Sequence, residues 1–214
     1  MIRFFIFCLF LGSYAFVDAC HLIIIRHGET AALANRIYHE DSGLNEQGEK
    51  QALEVIDKLH GVPIDAIYSS PLRRAIQTAS PLAEHRALPV IIYGALKERG
   101  HGSAEGRPMA DFDGTETRDL YYHPQKSEDL FLRLVPDAEN LDESTKRFSS
   151  ILKKISEEHP DQTVVVFSHH ALMQGLLISL TNRFDHPPIL NGSFIQVTGS
   201  EDALVLRANA REGE

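Results

Sequence analysis

The chain has 214 residues, 43% of them apolar, and a formal charge of −9. That length and composition suffice for one substantial core, so a single domain is expected. The acidic balance excludes a general nucleic-acid or anionic-membrane surface, each of which wants a basic face; any anionic substrate must be drawn by a local basic pocket.

The first nineteen residues differ in kind from the rest. Arg3 supplies a small positive start, Phe4 to Val17 is an almost wholly apolar stretch of 14 residues, and Val17-Asp18-Ala19 offers small residues where a signal peptidase reads. Residues 1–19 are therefore expected to be a signal peptide that exports the domain, residues 20–214. Fourteen residues fall short of the roughly 20 that a membrane-spanning helix needs. A buried core helix and a misassigned start codon are the competing readings. The methionines stand at positions 1, 109 and 173, so none offers a later start ahead of the first strand. Cys8 lies in the apolar segment and Cys20 at the expected new N-terminus. Val17-Asp18-Ala19-Cys20 is similar to a bacterial lipoprotein cleavage box, with Asp18 out of pattern and no flexible tether after Cys20. A lipid anchor on Cys20 and plain secretion stand as equal alternatives, and one mature cysteine cannot close an internal disulfide.

Leu22-Ile23-Ile24-Ile25 reads as a buried strand that stops abruptly at Arg26-His27-Gly28-Glu29-Thr30. Leu44 to His60 carries Leu44, Ala52, Val55, Ile56 and Leu59 at helical spacing and is ended by Gly61 and Pro63. Ala66-Ile67-Tyr68 is a short strand stopped by Ser69-Ser70-Pro71. Leu72 to Ala83 reads as a helix with Pro71 near its first turn, and Val90 to Tyr93 as the next strand. Residues 99–138 are irregular and long enough to cover a site. Glu139 to Glu158 is an amphipathic helix, Thr163 to Phe167 a second wholly apolar strand, and Ala171 to Leu180 a helix. Phe194 to Val197 and Ala203 to Leu206 close the chain as a strand pair around Gly199. Strands alternating with helices predict a three-layer α/β/α domain with a mainly parallel sheet.

The chemistry gathers at strand ends. In a parallel sheet the carboxyl ends share one edge, where such sheets place their ligand crevices. His27 and His169 close two strong strands, and Ser69-Ser70 leads from a third into Arg73-Arg74. A neutral histidine is a nucleophile, and arginine is a permanent bidentate phosphate clamp. Gly28 is expected to let a substrate approach the backbone. One histidine can attack phosphorus while the other and the arginines neutralise the equatorial oxygens. Taken singly, His169 reads as a satisfied core histidine and Arg73 and Arg74 as solvated helix charges.

Further segments complete a pattern: Gly43-Leu44-Asn45-Glu46-Gln47-Gly48 with Gln51-Ala52, Tyr68 through Ala79, Leu96-Lys97-Glu98 with Glu105-Gly106, Glu139 with Arg147, and Phe167-Ser168-His169. In this order the chain resembles the histidine phosphatase superfamily, also called the phosphoglycerate mutase-like family, from about residue 22 to 195. The resemblance implies that His27 becomes phosphorylated in a phosphate pocket of Arg26, Arg74 and His169. Arg74, immediately before Ala75, matches the family's arginine, which leaves Arg73 as a surface charge. Glu98 matches the acid that protonates the leaving oxygen and later assists water. The Glu139–Arg147 pair is read as structural, tying a helix start to the core.

Thr30, Asn35 and His170 are further candidate substrate contacts. Leu33 stands where the family often has asparagine, and Asn35 comes two residues later. Gly43 replaces a common proline. His170 stands where glycine usually follows the second histidine, so it narrows the pocket or adds a titrating group.

The resemblance leaves three readings. The first is a metal-independent phosphomonoester phosphatase with a phosphohistidine intermediate. The second is a bisphosphoglycerate-dependent phosphoglycerate mutase, and the third a non-catalytic phosphate-binding module. Only about forty residues separate Glu98 from Glu139, whereas the mutases resemble one another in a longer basic insert that shields the intermediate from water. That and the export segment favour hydrolysis. No metal or other cofactor is called for: the histidines show no helical ligand pair, and the arginines supply the positive charge. The two guanidinium groups are expected to keep His27 neutral at mildly acidic pH, and Glu98 must carry a proton, so acidic conditions are expected to favour activity. The partner is a small phosphorylated substrate or a phosphoprotein; the sequence names neither it nor an oligomeric state.

Overall fold

The computed structural model describes residues 19–38, 41–112 and 132–207. The expected signal segment, Ala19 apart, lies outside the described residues. Six strands form one sheet: β1 (Cys20–Arg26), β2 (Ala66–Ser69), β3 (Val90–Ile92), β4 (Thr163–Ser168), β5 (Phe194–Gly199) and β6 (Leu204–Leu206), in the order β3-β2-β4-β1-β5-β6. The four strands from β3 to β1 are parallel; β5 runs antiparallel to β1, and β6 antiparallel to β5. The expected α/β/α class is the observed one.

Helices cover both faces, and strand alternation decides which residue meets which layer. Ile23 and Ile25 of β1, Ile67 of β2 and Val165 and Phe167 of β4 pack under α2 (Glu46–Lys58) and α3 (Arg73–Arg86). Leu22, Ile24, Tyr68, Val164 and Val166 face the other way, under α4 (Leu141–Glu158) and α5 (His170–Thr181). This is why the two apolar runs show no polar alternation: both their faces are core. Burial of each such side chain contributes roughly 1.5–3 kcal/mol.

Helix boundaries follow local chemistry. Asn45 caps α2 by accepting from Gly48 N at 2.9 Å, and Glu46 and Glu49 favour its positive end. The helix thus starts two residues after the expected Leu44, which instead bridges Thr30. α3 continues past the expected Ala83 to Arg86, with Pro81 inside it. Leu82 and Ala83 are buried against the sheet, and that packing carries the last turn across the hydrogen bond that Pro81 cannot donate. Ala87, at φ 52°, ends it.

The segment expected to be irregular contains short 3-10 turns at Gly102–Ala104 and Met109–Phe112, and residues 113–131 of it lie outside the described residues. Tyr38, Ala104, Phe112 and Val135 make a small satellite core there, apart from the two main clusters. A bridge between Ile37 and Pro108 ties this lobe to the end of α1 (Ala31–Ala34).

Candidate active site

β1 and β4 are adjacent parallel strands whose following helices α2 and α5 lie on opposite faces of the sheet. Chains that diverge in this way leave a crevice beyond the strand ends. His27 follows β1 there, and His169 follows β4 as the N-cap of α5. The register places Arg26 opposite Ser168, and His27 N donates to Ser168 O at 3.0 Å. The two imidazoles accordingly lie 5.2 Å apart between centroids, tilted by 55°.

His27 is nearly inaccessible, and its ring has defined partners. Nδ1 lies 2.6 Å from Gly28 O, an oxygen that can only accept, so Nδ1 carries the proton. Nε2 then presents a lone pair, which accepts from Arg74 Nε at 3.2 Å. Asn191 Nδ2 donates to His27 O at 2.8 Å and fixes its backbone. The arrangement is a neutral imidazole whose nucleophilic nitrogen points at a guanidinium.

Arg74 is 2% exposed at the start of α3, one turn below the Ser69-Ser70 strand end. Burial lowers its pKa from the ordinary arginine value, the carboxylates of Glu98, Asp41 and Glu105 oppose that, and the Arg26 charge adds to it. Arg73 is exposed, as expected, with its backbone N–H donating to Asp41 at 2.6 Å. Arg26, the last residue of β1, donates from Nη1 to Ile189 O at 2.6 Å. His169 is wholly buried, and its Nε2 lies 2.7 Å from the Ser70 hydroxyl.

Glu98 reaches the same edge from the other side. Its Oε1 accepts from Arg99 N at 2.9 Å, and its Oε2 is 3.4 Å from the first-turn N–H of Ala171 in α5. The turn before it is pinned by Arg147, which donates from Nη1 to Ala95 O at 2.7 Å and Lys97 O at 2.9 Å. Arg147 also grips Glu139 through two bonds of 3.0 and 2.8 Å. The pair is structural, as read from the sequence, and what it holds is the segment carrying Glu98. A cavity of about 410 Å³ opens beside Arg74 and Glu98, walled farther out by Arg99, Glu105, Asp137 and Glu139.

Gly28 has a packing role that the sequence reading did not name: a Cβ on it would stand 2.6 Å from Gly48 O, and one on Gly48 would overlap Glu29 O. The pair of glycines lets the loop after β1 sit directly on the first turn of α2. His170 does not add a titrating group near neutrality, because burial first and the Arg26 charge second push its pKa down to about 3.

Thr30 and Asn35 make local contacts with α1. The Thr30 hydroxyl caps α1 by accepting from Leu33 N, and the exposed Asn35 amide donates to Ala31 O. Sequence reasoning missed Ser70, Thr78 and Asn191 as supports. Thr78 accepts from Gly28 N at 2.9 Å and donates to Arg74 O at 2.7 Å, joining the loop to α3. Amides of the 43–51 motif and of α3 do similar work: Gln51 receives Glu29 N, Asn45 donates to Glu29 Oε1, and Gln77 of α3 receives Leu44 N.

The chain matches the model of the histidine phosphatase superfamily, branch 1, over residues 22–210. It is 31% identical over 160 residues to the uncharacterized phosphatase PhoE of Bacillus subtilis, covering 74% of this chain and 76% of that protein. It is 30% identical over 181 residues to the metal-independent phosphoserine phosphatase of Arabidopsis thaliana, covering 82% and 75%. A crystal structure of phosphoglycerate mutase from Bacillus anthracis shares the fold with a TM-score of 0.79 at 24% identity, over 89% of this chain and 92% of that one. With its strand-end histidines, buried arginine and matching motifs, the chain belongs to the histidine phosphatase superfamily, branch 1.

Proposed function

We propose that the protein is a metal-independent phosphomonoester phosphatase that works through a phosphohistidine on His27. The observation that carries this reading is the ring of His27, with Nδ1 tied to Gly28 O and the Nε2 lone pair beside Arg74. Nε2 attacks phosphorus in line; Arg74, Arg26 and His169 hold the equatorial oxygens and balance the charge that develops on them. Glu98, on the cavity side, gives its proton to the departing oxygen. In the second half the same carboxylate takes a proton from water, which attacks the phosphohistidine and releases inorganic phosphate. The need for a protonated Glu98 in the first half makes mildly acidic conditions favourable.

The segment between Glu98 and Glu139 is about forty residues long, shorter than the insert that shields the intermediate in the mutases, and this supports hydrolysis over mutase activity. A small phosphorylated substrate suits a cavity of about 410 Å³ better than a phosphoprotein does. Export by residues 1–19 belongs to the same proposal. Cys20 favours plain secretion over a lipid anchor: it pairs in β1, is wholly buried, and its thiol is pushed up to about 11 by burial. Acylation would require drawing it out of the core.

The test is hydrolysis of a panel of phosphomonoesters by the purified protein in the presence of a chelator, beside a mutase assay primed with bisphosphate. Phosphate release that disappears in His27→Ala supports the phosphatase. Phosphoryl transfer between acceptor positions without release would establish the mutase instead, and phosphate binding without turnover in either assay the binding module.

A further inference from the structure

His170 has no place in the phosphatase chemistry, yet it is 7% exposed and immediately follows His169. A glycine would leave room there; this chain instead buries an imidazole at the first position of α5. Its Nδ1 lies 3.2 Å from Ile189 O. The same carbonyl oxygen accepts Nη1 of Arg26 at 2.6 Å. An sp² oxygen has two lone pairs, so it can serve both donors at once. The carbonyl belongs to a loop stitched to the end of β1: Gly192 N donates to Arg26 O and Arg26 N to Ser193 O, both at 3.0 Å. Arg26 is thus bound to one short loop by its backbone and by its side chain.

We propose that His170 is a positioning residue for Arg26, acting through the Ile189 carbonyl, and that it sets the orientation in which the guanidinium meets the phosphoryl group. A guanidinium is a rigid planar fork, so fixing one of its N–H groups fixes the directions of the others. The Ile189 carbonyl is the anchor for that fork, and His170 holds the anchor from the side of α5. The imidazole is suited to this because it is neutral: a charged ring beside Arg26 would repel it, whereas the neutral Nδ1–H asks only for the carbonyl. The device links the two histidine-bearing elements, since the residue that holds Arg26, at the end of β1, is the neighbour of His169 at the start of α5. This inference rests on the phosphatase reading for its consequence, that Arg26 contacts phosphate.

Three variants separate the hydrogen bond from the space it fills. His170→Phe keeps the volume and removes the donor, His170→Asn keeps a donor near the position of Nδ1, and His170→Gly removes both. Calorimetric titration with inorganic phosphate reads the pocket without requiring turnover, and steady-state kinetics separates KM from kcat. The Phe and Gly variants are expected to bind phosphate about tenfold more weakly, the effect of losing one charge-assisted orientation. The Asn variant should lie within about twofold of the wild type on that scale. KM should rise by the same factor in Phe and Gly, with kcat changed less. If the Phe variant bound phosphate as the wild type does, or if Asn and Phe fell together in step with their melting temperatures, His170 would be packing only and the proposal overturned. A wild-type protein that bound no phosphate would overturn the phosphatase reading and this inference with it.

Discussion

The two ends of the active site are built differently. At the phosphate end, His27, His169 and Arg74 are carried by strand termini and a helix start, are buried, and have hydrogen-bond partners in Gly28 O, the Ser70 hydroxyl and one another. At the leaving-group end, Glu105 and Asp137 sit on loops and 3-10 turns around the satellite core of Tyr38, Ala104, Phe112 and Val135. Rigid, regular elements hold groups to the tolerance that a shared transition state demands, whereas loops can change with the substrate at little cost to the core. The phosphate end should therefore be intolerant of every change, whatever the substrate, and the outer wall tolerant or substrate-selective.

The sharpest way to break that contrast is at His27. His27→Ala should lower turnover of every phosphomonoester by at least about 10³-fold, since it removes the proposed nucleophile. A substrate that escaped this loss would remove the uniformity claimed for the phosphate end. Arg74→Lys keeps the charge and should still cost about 10²-fold in kcat/KM, because an ammonium cannot place both the Nε–H toward His27 and a fork toward phosphate. Near-normal kinetics would mean that charge alone suffices.

Glu98 lies on the boundary, so its variant should discriminate. Glu98→Gln is expected to lose about 10²-fold on alkyl phosphates and only a few-fold on p-nitrophenyl phosphate, whose leaving group needs no proton. Equal losses on both would take the acid role from Glu98. Gly28→Ala tests the scaffold: its Cβ would meet Gly48 O at 2.6 Å, and a loss of about 1–3 kcal/mol in urea unfolding is expected. Unchanged stability would remove this packing role from Gly28.

The last prediction concerns acid. His170 takes up its proton near 6.5 when unfolded and only near 3 when folded. Between those values the unfolded chain binds more protons, so stability present above pH 6.5 is lost as the pH falls toward 3. Melting temperatures measured across that range should fall less steeply for His170→Asn than for the wild type. Parallel slopes would place the acid sensitivity elsewhere.

The same contrast governs how much was legible in the sequence. The phosphate end could be read because its residues stand directly after apolar runs, and a run of four branched residues in a buried sheet fixes which edge its successor reaches. Even the choice of Arg74 over Arg73 was readable from motif position, with the exposed Arg73 outside the pocket. The supports were harder. Ser70 was visible as a strand stop, yet nothing local says that its hydroxyl meets His169. The partners of Arg26 and the His27 carbonyl are Ile189 and Asn191, more than 160 positions away, and one of them is a backbone oxygen that no side-chain pattern announces. The packing role of Gly28 was hidden for a related reason: the atom that forbids a side chain there, Gly48 O, belongs to α2. The outer wall was least legible, since loops without hydrophobic period give no register from which to place Glu105 or Asp137.

The central claim is a covalent bond between His27 and phosphorus. Rapid quenching of the purified enzyme in alkali with a ³²P-labelled phosphomonoester, followed by peptide mapping, tests it directly, because phosphohistidine survives base and is lost in acid. Label on the His27 peptide, released by acid and absent from His27→Ala, is the predicted result. Steady turnover with no label on the protein, or label that persists in His27→Ala, would contradict the account.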